Sequence, residues 1–255
     1  MRQCRTLRAV SFTGAGVENF VDLDLATELG ITVMNTPHYG DNAVAEHTLA
    51  LLFALVRRIP KHHFNLVHGI WDQSEQGTEL RGKTIGIIGF GGIGRRVAYL
   101  SSCLGMKVLC WTRKPDPGRG RVEFVSLEEL LRQSDIISLH LALTPETRGI
   151  IGKKEIGLIK RGAYLINTAR AELVDSEALI EALRTKHLAG AAFDVYEREP
   201  LPADSPLLSL DNVVLTPHVG FNTPEATKRI IEIAVENLIN FARGVPTNVV
   251  SRPLK

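Results

Sequence analysis

Three polar residues in this 255-residue chain follow short apolar runs that read as strands. Arg170 stands behind Ala163–Asn167, Glu199 behind Ala189–Val195, and His218 behind Asn212–Thr216. Ligand sites of open α/β sheets lie beyond the carboxyl ends of the strands, so one crevice would receive all three. Their chemistry fits together. The fork of an arginine holds a carboxylate through two parallel bonds. A histidine, with an unperturbed pKa of about 6.5, exchanges a proton near neutrality. A carboxylate beside it favours the imidazolium and fixes the ring. Next to a nicotinamide, such a set suits reduction of a 2-keto acid. Taken singly, a histidine after a strand is more often a packing or surface residue, so the weight rests on the three together.

A second constellation lies upstream. Gly89, Gly91, Gly92, Ile93 and Gly94 form a GxGxxG turn that follows the run Thr84–Gly89 and opens a helical stretch. Glycines there allow the tight turn, close approach of a pyrophosphate and tight helix-to-strand packing. The helix start adds N–H groups and a positive partial charge for the anion. The spacing alone is a weak signal; its place between strand and helix weighs against a glycine turn without a ligand. An NAD-preferring domain puts Asp or Glu about 20 residues on, at the end of the second strand. Here Lys107–Trp111 is followed by Thr112, Arg113 and Lys114, with no carboxylate. A hydroxyl and two cations suit the 2′-phosphate of NADP, which is preferred, with NAD possible. The competing reading is a solvated basic loop, because Arg119 and Arg121 follow closely.

The elements that would position these residues alternate. Apolar runs at Thr84–Gly89, Lys107–Trp111, Asp135–His140, Ala163–Asn167, Ala189–Val195 and Asn212–Thr216 are separated by helical stretches at Ile93–Leu104, Ser126–Ser134, Lys153–Lys160 and Asp175–Thr185. Ser126 to Glu129 reads as a capping box, Asp175 as a cap, and Pro115–Gly120 as a turn. Strands apolar throughout, spaced by amphipathic helices, predict a doubly wound parallel sheet covered on both faces. The flanks supply two more strands, Leu7–Phe12 and Ile31–Asn35, around a helix at Asp24–Leu29. Asp41 would cap a helix reaching about Ile59 whose Ala43–Val56 stretch is apolar almost all round, as only a buried or interface helix is. Thr223 caps a long last helix. The expected division is a dinucleotide-binding domain at 72–222 and a smaller substrate (outer) domain from 1–71 and 223–255.

Composition narrows the class. Thirty Lys and Arg against 28 Asp and Glu give a net charge of +2, too balanced for the footprint of a nucleic-acid binder. The longest apolar run, Leu49–Val56, falls far short of the ~20 residues that span a bilayer. No secretory signal opens the chain. Cys4, Cys103 and Cys110 form no CxxC pair and read as reduced packing residues. No cluster has metal-ligand spacing, and His62, His63 and His68 read as surface residues. His47, inside the apolar helix, reads as a satisfied core or interface group. A cytoplasmic globular protein without membrane or nucleic-acid partner is expected.

The chain resembles the D-isomer-specific 2-hydroxyacid dehydrogenases from about Leu7 to Val250. The resemblance is carried by GAGVEN (Gly14–Asn19), VAEHTLALL (Val44–Leu52), GIIGFGGIGRRVA (Gly86–Ala98), LALTPETRGIIG (Leu141–Gly152), LINTARAELVD (Leu165–Asp175), FDVYEREP (Phe193–Pro200) and TPHVG (Thr216–Gly220), in that order. It implies that Arg170 grips the substrate carboxylate and polarises its carbonyl, that His218 is the general acid in reduction, and that Glu199 pairs with it. It further implies that Ala15 and Gly16 offer backbone N–H groups to the substrate. Asp194 would meet the nicotinamide carboxamide, and Thr168–Arg170 would line the ring. A homodimer is implied as well, in keeping with the apolar Ala43–Val56 helix.

Two departures stand out. Members of the family carry several βα units ahead of the strand at Leu7–Phe12, so the outer domain here is expected to be a truncated flavodoxin-like sheet. Its first strand would then have an open edge and uncovered apolar surface. A truncated product, a fragment with a misplaced start and a form completed by a partner are all compatible with this. Ala171 stands where glycine often follows the arginine. The expectation is an NADP-preferring 2-keto acid reductase, with glyoxylate or hydroxypyruvate as leading substrates. The alternative is a catalytically weak dinucleotide-binding protein, related to corepressors of the same family.

Overall fold

The computed structural model describes residues 1–4, 6–17, 20–115 and 122–251. The turn expected at Pro115–Gly120, the basic residues Arg119 and Arg121, and the end of the GAGVEN motif lie largely outside the described residues. Two compact units form, one from Met1–Ala43 with Phe221–Lys255, the other from Val44–Gly220.

The larger unit is built on seven parallel strands: β3 (Thr84–Ile88), β4 (Lys107–Trp111), β5 (Glu123–Phe124), β6 (Ile136–Leu139), β7 (Ala163–Asn167), β8 (Leu188–Phe193) and β9 (Val213–Leu215). They lie in the order β5-β4-β3-β6-β7-β8-β9, so the winding direction reverses beside β3. Alternate strand residues point to opposite faces, and the two cores follow that alternation. Ile88, Ile137, Leu165 and Ala191 pack on one face with Leu130, Leu131, Leu179 and Leu183. These last four belong to α5 (Leu127–Gln133) and α7 (Ser176–Arg184). Ile85, Ile87, Ile136, Ile166 and Ala192 pack on the other. There they meet Val97 and Ala98 of α4 (Gly92–Cys103) and Leu51, Leu52, Leu55 and Val56 of α2 (Asp41–Val56). The sheet is doubly wound, as the apolar runs predict.

That second core also sets where the larger compact unit begins. The sequence places the domain boundary at 71/72, whereas the larger unit begins at Val44, because the apolar face of α2 is buried in that core, with Leu55 packed against Gly190 of β8. The helix is also shorter than expected. It ends at Val56, and Arg58 takes a left-handed backbone (φ 52°) before α3 (Ile59–Val67) begins with a proline in its first turn. Caps are mostly where the sequence puts them: Asp175 accepts from Ala178 N–H and Ser126 from Glu129 N–H. α6 spans Lys153–Leu158.

In the smaller unit β1 (Ala9–Ser11) and β2 (Thr32–Met34) pair in parallel. They are joined by α1 (Leu23–Glu28), capped by Asp22, and accompanied by α8 (Pro224–Ala242), capped by Thr223. Val17, Ala26, Ile31 and Val33 make its small core. Asn237, 1% exposed on α8, donates to Asn35 O and accepts from Asn248, tying the last helix to both sides of β2. Among the described residues no strand pairs with the second edge of β1. Ile231, Val235 and Leu238 of α8 face solvent.

Candidate active site

Gly89 closes β3 with φ 101°, a conformation that disfavours any side chain. A Cβ at Gly94 would lie 2.1 Å from Gly89 O, so the helix start and the turn pack backbone to backbone. A Cβ at Gly91, by contrast, would meet nothing within 4 Å, so the outer side of the turn is open. The first helical bond is donated by Arg95 N–H to Gly91 O at 3.0 Å. The N–H groups of Gly92, Ile93 and Gly94 precede it and have no acceptor within the helix. The Arg95 side chain donates to Phe90 O (3.0 Å) and lies over the Phe90 ring, bracing the turn. These residues fit a dinucleotide pyrophosphate, as a cradle in which added side chains would take the anion's place. Burial pushes His140, whose carbonyl abuts Gly89, down to about 3, so this ring stays neutral beside the cradle.

Thr112 is half-buried at the end of β4, and Arg113 and Lys114 are exposed. Glu146 sits below its ordinary range, chiefly through the Thr144 hydroxyl, with the Arg113 charge adding to it.

At the other end of the sheet, Asn167 closes β7 and folds its side chain over the next turn. Its Nδ2 donates to Arg170 O (2.7 Å) and its Oδ1 accepts from Ala169 N–H (3.0 Å). Thr168 Oγ1 lies 2.9 Å from Thr48 Oγ1 on α2. Arg170 Nη1 donates to Ala169 O (2.6 Å), and the residue is half-buried. Beyond β8, Glu199 Oε1 accepts from Tyr196 N–H (3.0 Å), and Oε2 lies 2.7 Å from His218 Nδ1. Both side chains of this pair are 39% exposed, so the ring is open to a small ligand. His218 has φ 54°, so the backbone itself, in a left-handed conformation, directs the imidazole.

Asp194, 2% exposed, organises the loop around that histidine. Oδ1 accepts from the Thr216 hydroxyl (2.6 Å) and Val219 N–H (2.9 Å), and Oδ2 accepts from Gly220 N–H (2.8 Å). His47 Nε2 is 2.9 Å from Thr216 Oγ1 and 3.4 Å from Asp194 Oδ1, which gives the histidine of the apolar helix its polar partners. Burial raises the carboxyl's pKa, but the donors from His47, Thr216, Val219 and Gly220 outweigh it and hold Asp194 below the carboxylate range. A Cβ at Gly220 would come within 2.9 Å of Asp194 Oδ2, so the loop closes only around glycine. Tyr196, whose hydroxyl donates to Thr216 O (2.9 Å), is pushed up to about 12 by burial and by the Asp194 and Glu199 charges.

The stability that Asp194 contributes follows from its lowered pKa. It is present above the ordinary carboxylate range and is lost as pH falls through the folded-state value. Asp194→Ala leaves buried donors unpaired and costs about 3 kcal/mol. Thermal melts from pH 7 down to pH 3 should show the variant melting about 6–12 °C lower at neutrality, with the gap closing in acid. A gap that stays constant with pH contradicts the assignment.

The structure thus brings Arg170, Glu199, His218, Thr168 and Asp194 to the carboxyl ends of β7, β8 and β9, with the glycine turn at the end of β3. Ala15 and Gly16 belong to the smaller unit, where Gly14 O accepts from Thr36 N–H (3.0 Å) and Ala15 O from Asn35 Nδ2 (2.8 Å). Sequence reasoning missed Asn167, Tyr196, Thr216 and Thr48, whose roles are bonds to the site rather than chemistry in it. Asn167, Tyr196 and Thr216 stand within three residues of Arg170, Glu199 and His218, which was their only signal, and Thr48 had none. Among the described residues no group of three or more His, Cys, Asp or Glu is placed to hold a metal, and no helix is long and apolar enough to cross a membrane.

The family model described as D-isomer specific 2-hydroxyacid dehydrogenase, NAD binding domain, matches residues 49–220. A glyoxylate reductase of Aeropyrum pernix is 43% identical over 264 residues, covering 99% of this chain and 78% of that protein. Among solved structures, D-lactate dehydrogenase from Aquifex aeolicus with NAD and lactic acid superposes with a TM-score of 0.88 at 34% identity, covering 97% of this chain and 81% of that one. The acyclic imino acid reductase Bsp5 with NADPH and D-Arg gives a TM-score of 0.87 at 33% identity, covering 96% and 78%.

Proposed function

The chain belongs to the D-isomer specific 2-hydroxyacid dehydrogenases, and we propose that it reduces small 2-keto acids, glyoxylate and hydroxypyruvate first among them, with NADPH preferred over NADH. The observation that carries this reading is the His218–Glu199 pair at 2.7 Å, open to solvent beyond the same strand ends as Arg170. Gly89, Gly91, Gly92, Ile93 and Gly94 would seat the coenzyme, whose chemistry when bound would be hydride donation. Arg170 binds the substrate carboxylate and orients the keto group. With Nδ1 engaged by Glu199, His218 works through Nε2, donating a proton to the keto oxygen as negative charge develops there. Arg170 and His218 act most strongly on that charge, which is how they lower the barrier. Ala15 and Gly16 offer N–H groups to the substrate, and Asp194 and Thr168 face the nicotinamide side. Residues 72–222 hold the coenzyme, and 1–71 with 223–255 the substrate, although the compact unit with the glycine turn begins at Val44.

The coenzyme preference rests on Thr112, Arg113 and Lys114, with NAD remaining usable. The test is oxidation of NADPH and NADH by purified protein with glyoxylate and hydroxypyruvate, beside Arg113→Ala. NADPH should be used with the lower KM, and Arg113→Ala should raise that KM about tenfold, as loss of a charge-assisted bond of about 1.5 kcal/mol implies. Equal KM values for the two coenzymes would reject the preference. Coenzyme binding without turnover would favour a binding protein over an enzyme.

A homodimer is the proposed assembly. Ile59, Phe64, Leu66, Val67, Ile70 and Trp71 are all at least half exposed along α3 and the segment after it, an apolar surface of the kind a second copy covers. Light scattering should give a dimer mass, and Phe64→Glu with Trp71→Glu should give a monomer. The exposed thiols Cys4 and Cys103 suit a reducing compartment, and the cytoplasm is the location we propose.

A further inference from the structure

Behind the segments that carry Arg170 and Glu199 lies a cavity of about 360 Å³, bounded by the start of α7, the end of β8 and the 201–207 loop. That size falls in the lower part of the range for small-molecule sites, about 300–1,000 Å³. Leu179, Ile180, Phe193, Val195, Leu201 and Leu207 give it an apolar wall. Ser176, Glu197, Arg198 and Asp204 supply the polar lining, where the Ser176 hydroxyl donates to Glu197 Oε1 at 2.6 Å. Two carboxylates against one guanidinium make that lining net negative. None of Arg170, Glu199, His218 or the glycine turn lines the cavity, so nothing in the proposed reduction uses it.

We propose that this cavity is a second small-molecule site, taking a compact aromatic or branched-alkyl body with an amine head, and that its occupant tunes the keto-acid site. The cationic head would meet Glu197 and Asp204, and the apolar body the leucine-rich wall.

The coupling is built into the wall. Asn167 lines the cavity and holds the Arg170 carbonyl through Nδ2. Ala171, directly after Arg170, lines it too. Tyr196 presents its backbone N–H to Glu199 and its hydroxyl to Thr216 O, two residues ahead of His218. Arg170 and Glu199 are therefore each held by, or adjoin, a wall residue, and the segment that carries His218 is held by one through Thr216. The Ser176–Glu197 bond links the segment after Arg170 to the segment before Glu199. A molecule that wedges these two segments apart loosens contacts already made, and so slows turnover without displacing the coenzyme. The binding stands independently of the proposed reduction; only the tuning rests on it.

The probe is N,N-dimethylphenethylamine, a tertiary amine that cannot condense with a keto acid, titrated into the full chain by calorimetry. Phenylacetate serves as the control for the head group. Glyoxylate reduction is followed in parallel at saturating NADPH. The amine should bind, phenylacetate should bind at least about tenfold more weakly, and saturating amine should lower kcat about fivefold or more with the KM for NADPH unchanged. Leu207→Trp and, separately, Ile180→Trp fill the cavity from two sides and should abolish amine binding while each variant still binds NADPH. No amine binding, or binding that neither tryptophan weakens, overturns the site. Equal binding of phenylacetate overturns the choice of head group, and binding with unchanged kcat overturns the tuning. Amine binding in a protein that turns over no 2-keto acid overturns the functional reading instead and leaves the site standing.

Discussion

His218→Ala lowers kcat for glyoxylate reduction by about 10²–10⁴ while NADPH still binds. The magnitude is that of a general acid removed from the developing alkoxide. The readout is kinetic because the substitution changes little else. His218 already occupies the left-handed region at φ 54°, so alanine meets the same backbone constraint. The ring is 39% exposed, so no core cavity opens. The Asp194 bonds to Val219 and Gly220 fix the loop from residues on the far side of His218 and survive the change. Steady-state rates with NADPH at saturation, beside coenzyme titration by fluorescence, separate the two effects. Full turnover in the variant would falsify the assignment of His218.

Arg170→Lys should lower kcat/KM by about 10²–10³, the usual loss when a positioned donor to developing charge is removed. Lysine keeps the charge but not the fork, so two-point binding of a carboxylate becomes single-point binding. The arginine is also braced by its Nη1 bond to Ala169 O at 2.6 Å, which holds the guanidinium in one orientation. Its carbonyl remains held by Asn167, so the turn itself persists. Both KM for the keto acid and kcat should move. A lysine variant with wild-type kcat/KM would assign the carboxylate to another cation.

Much of this was legible because it is written in short-range pattern. β3 to β9 except β5 are apolar runs, and Asp175, Ser126 and Thr223 cap their helices from the residue before them. β5 is two residues long, too short to show any period. The break after α2 was hidden because Arg57 and Arg58 are both good helix formers and give no stop signal. The proline at position 60, in the first turn of α3, was the available sign of a restart. Arg170, Glu199 and His218 could be found because their types suit a reaction. The residues that hold them could not. Thr48 meets Thr168 across 120 positions and His47 meets Thr216 across 169, distances in sequence that no spacing rule reaches. Asp194 could be singled out by its motif, but its four polar neighbours, and hence its lowered pKa, exist only once β8 and β9 are paired and α2 is packed beside them.

The strand order has a consequence for how such a chain can change. β4, with Thr112–Lys114 behind it, and β9, with His218 behind it, are five strand steps apart across the sheet. At about 4.8 Å per step that is roughly 24 Å. On the proposed roles the sheet acts as a ruler, with recognition of the coenzyme's far ribose and the chemistry on the substrate set at separate marks. Substitutions more than about 7–10 Å apart with no shared partners combine nearly additively. Coenzyme choice and substrate range are therefore independent dials on one scaffold, and a lineage can turn either without resetting the other.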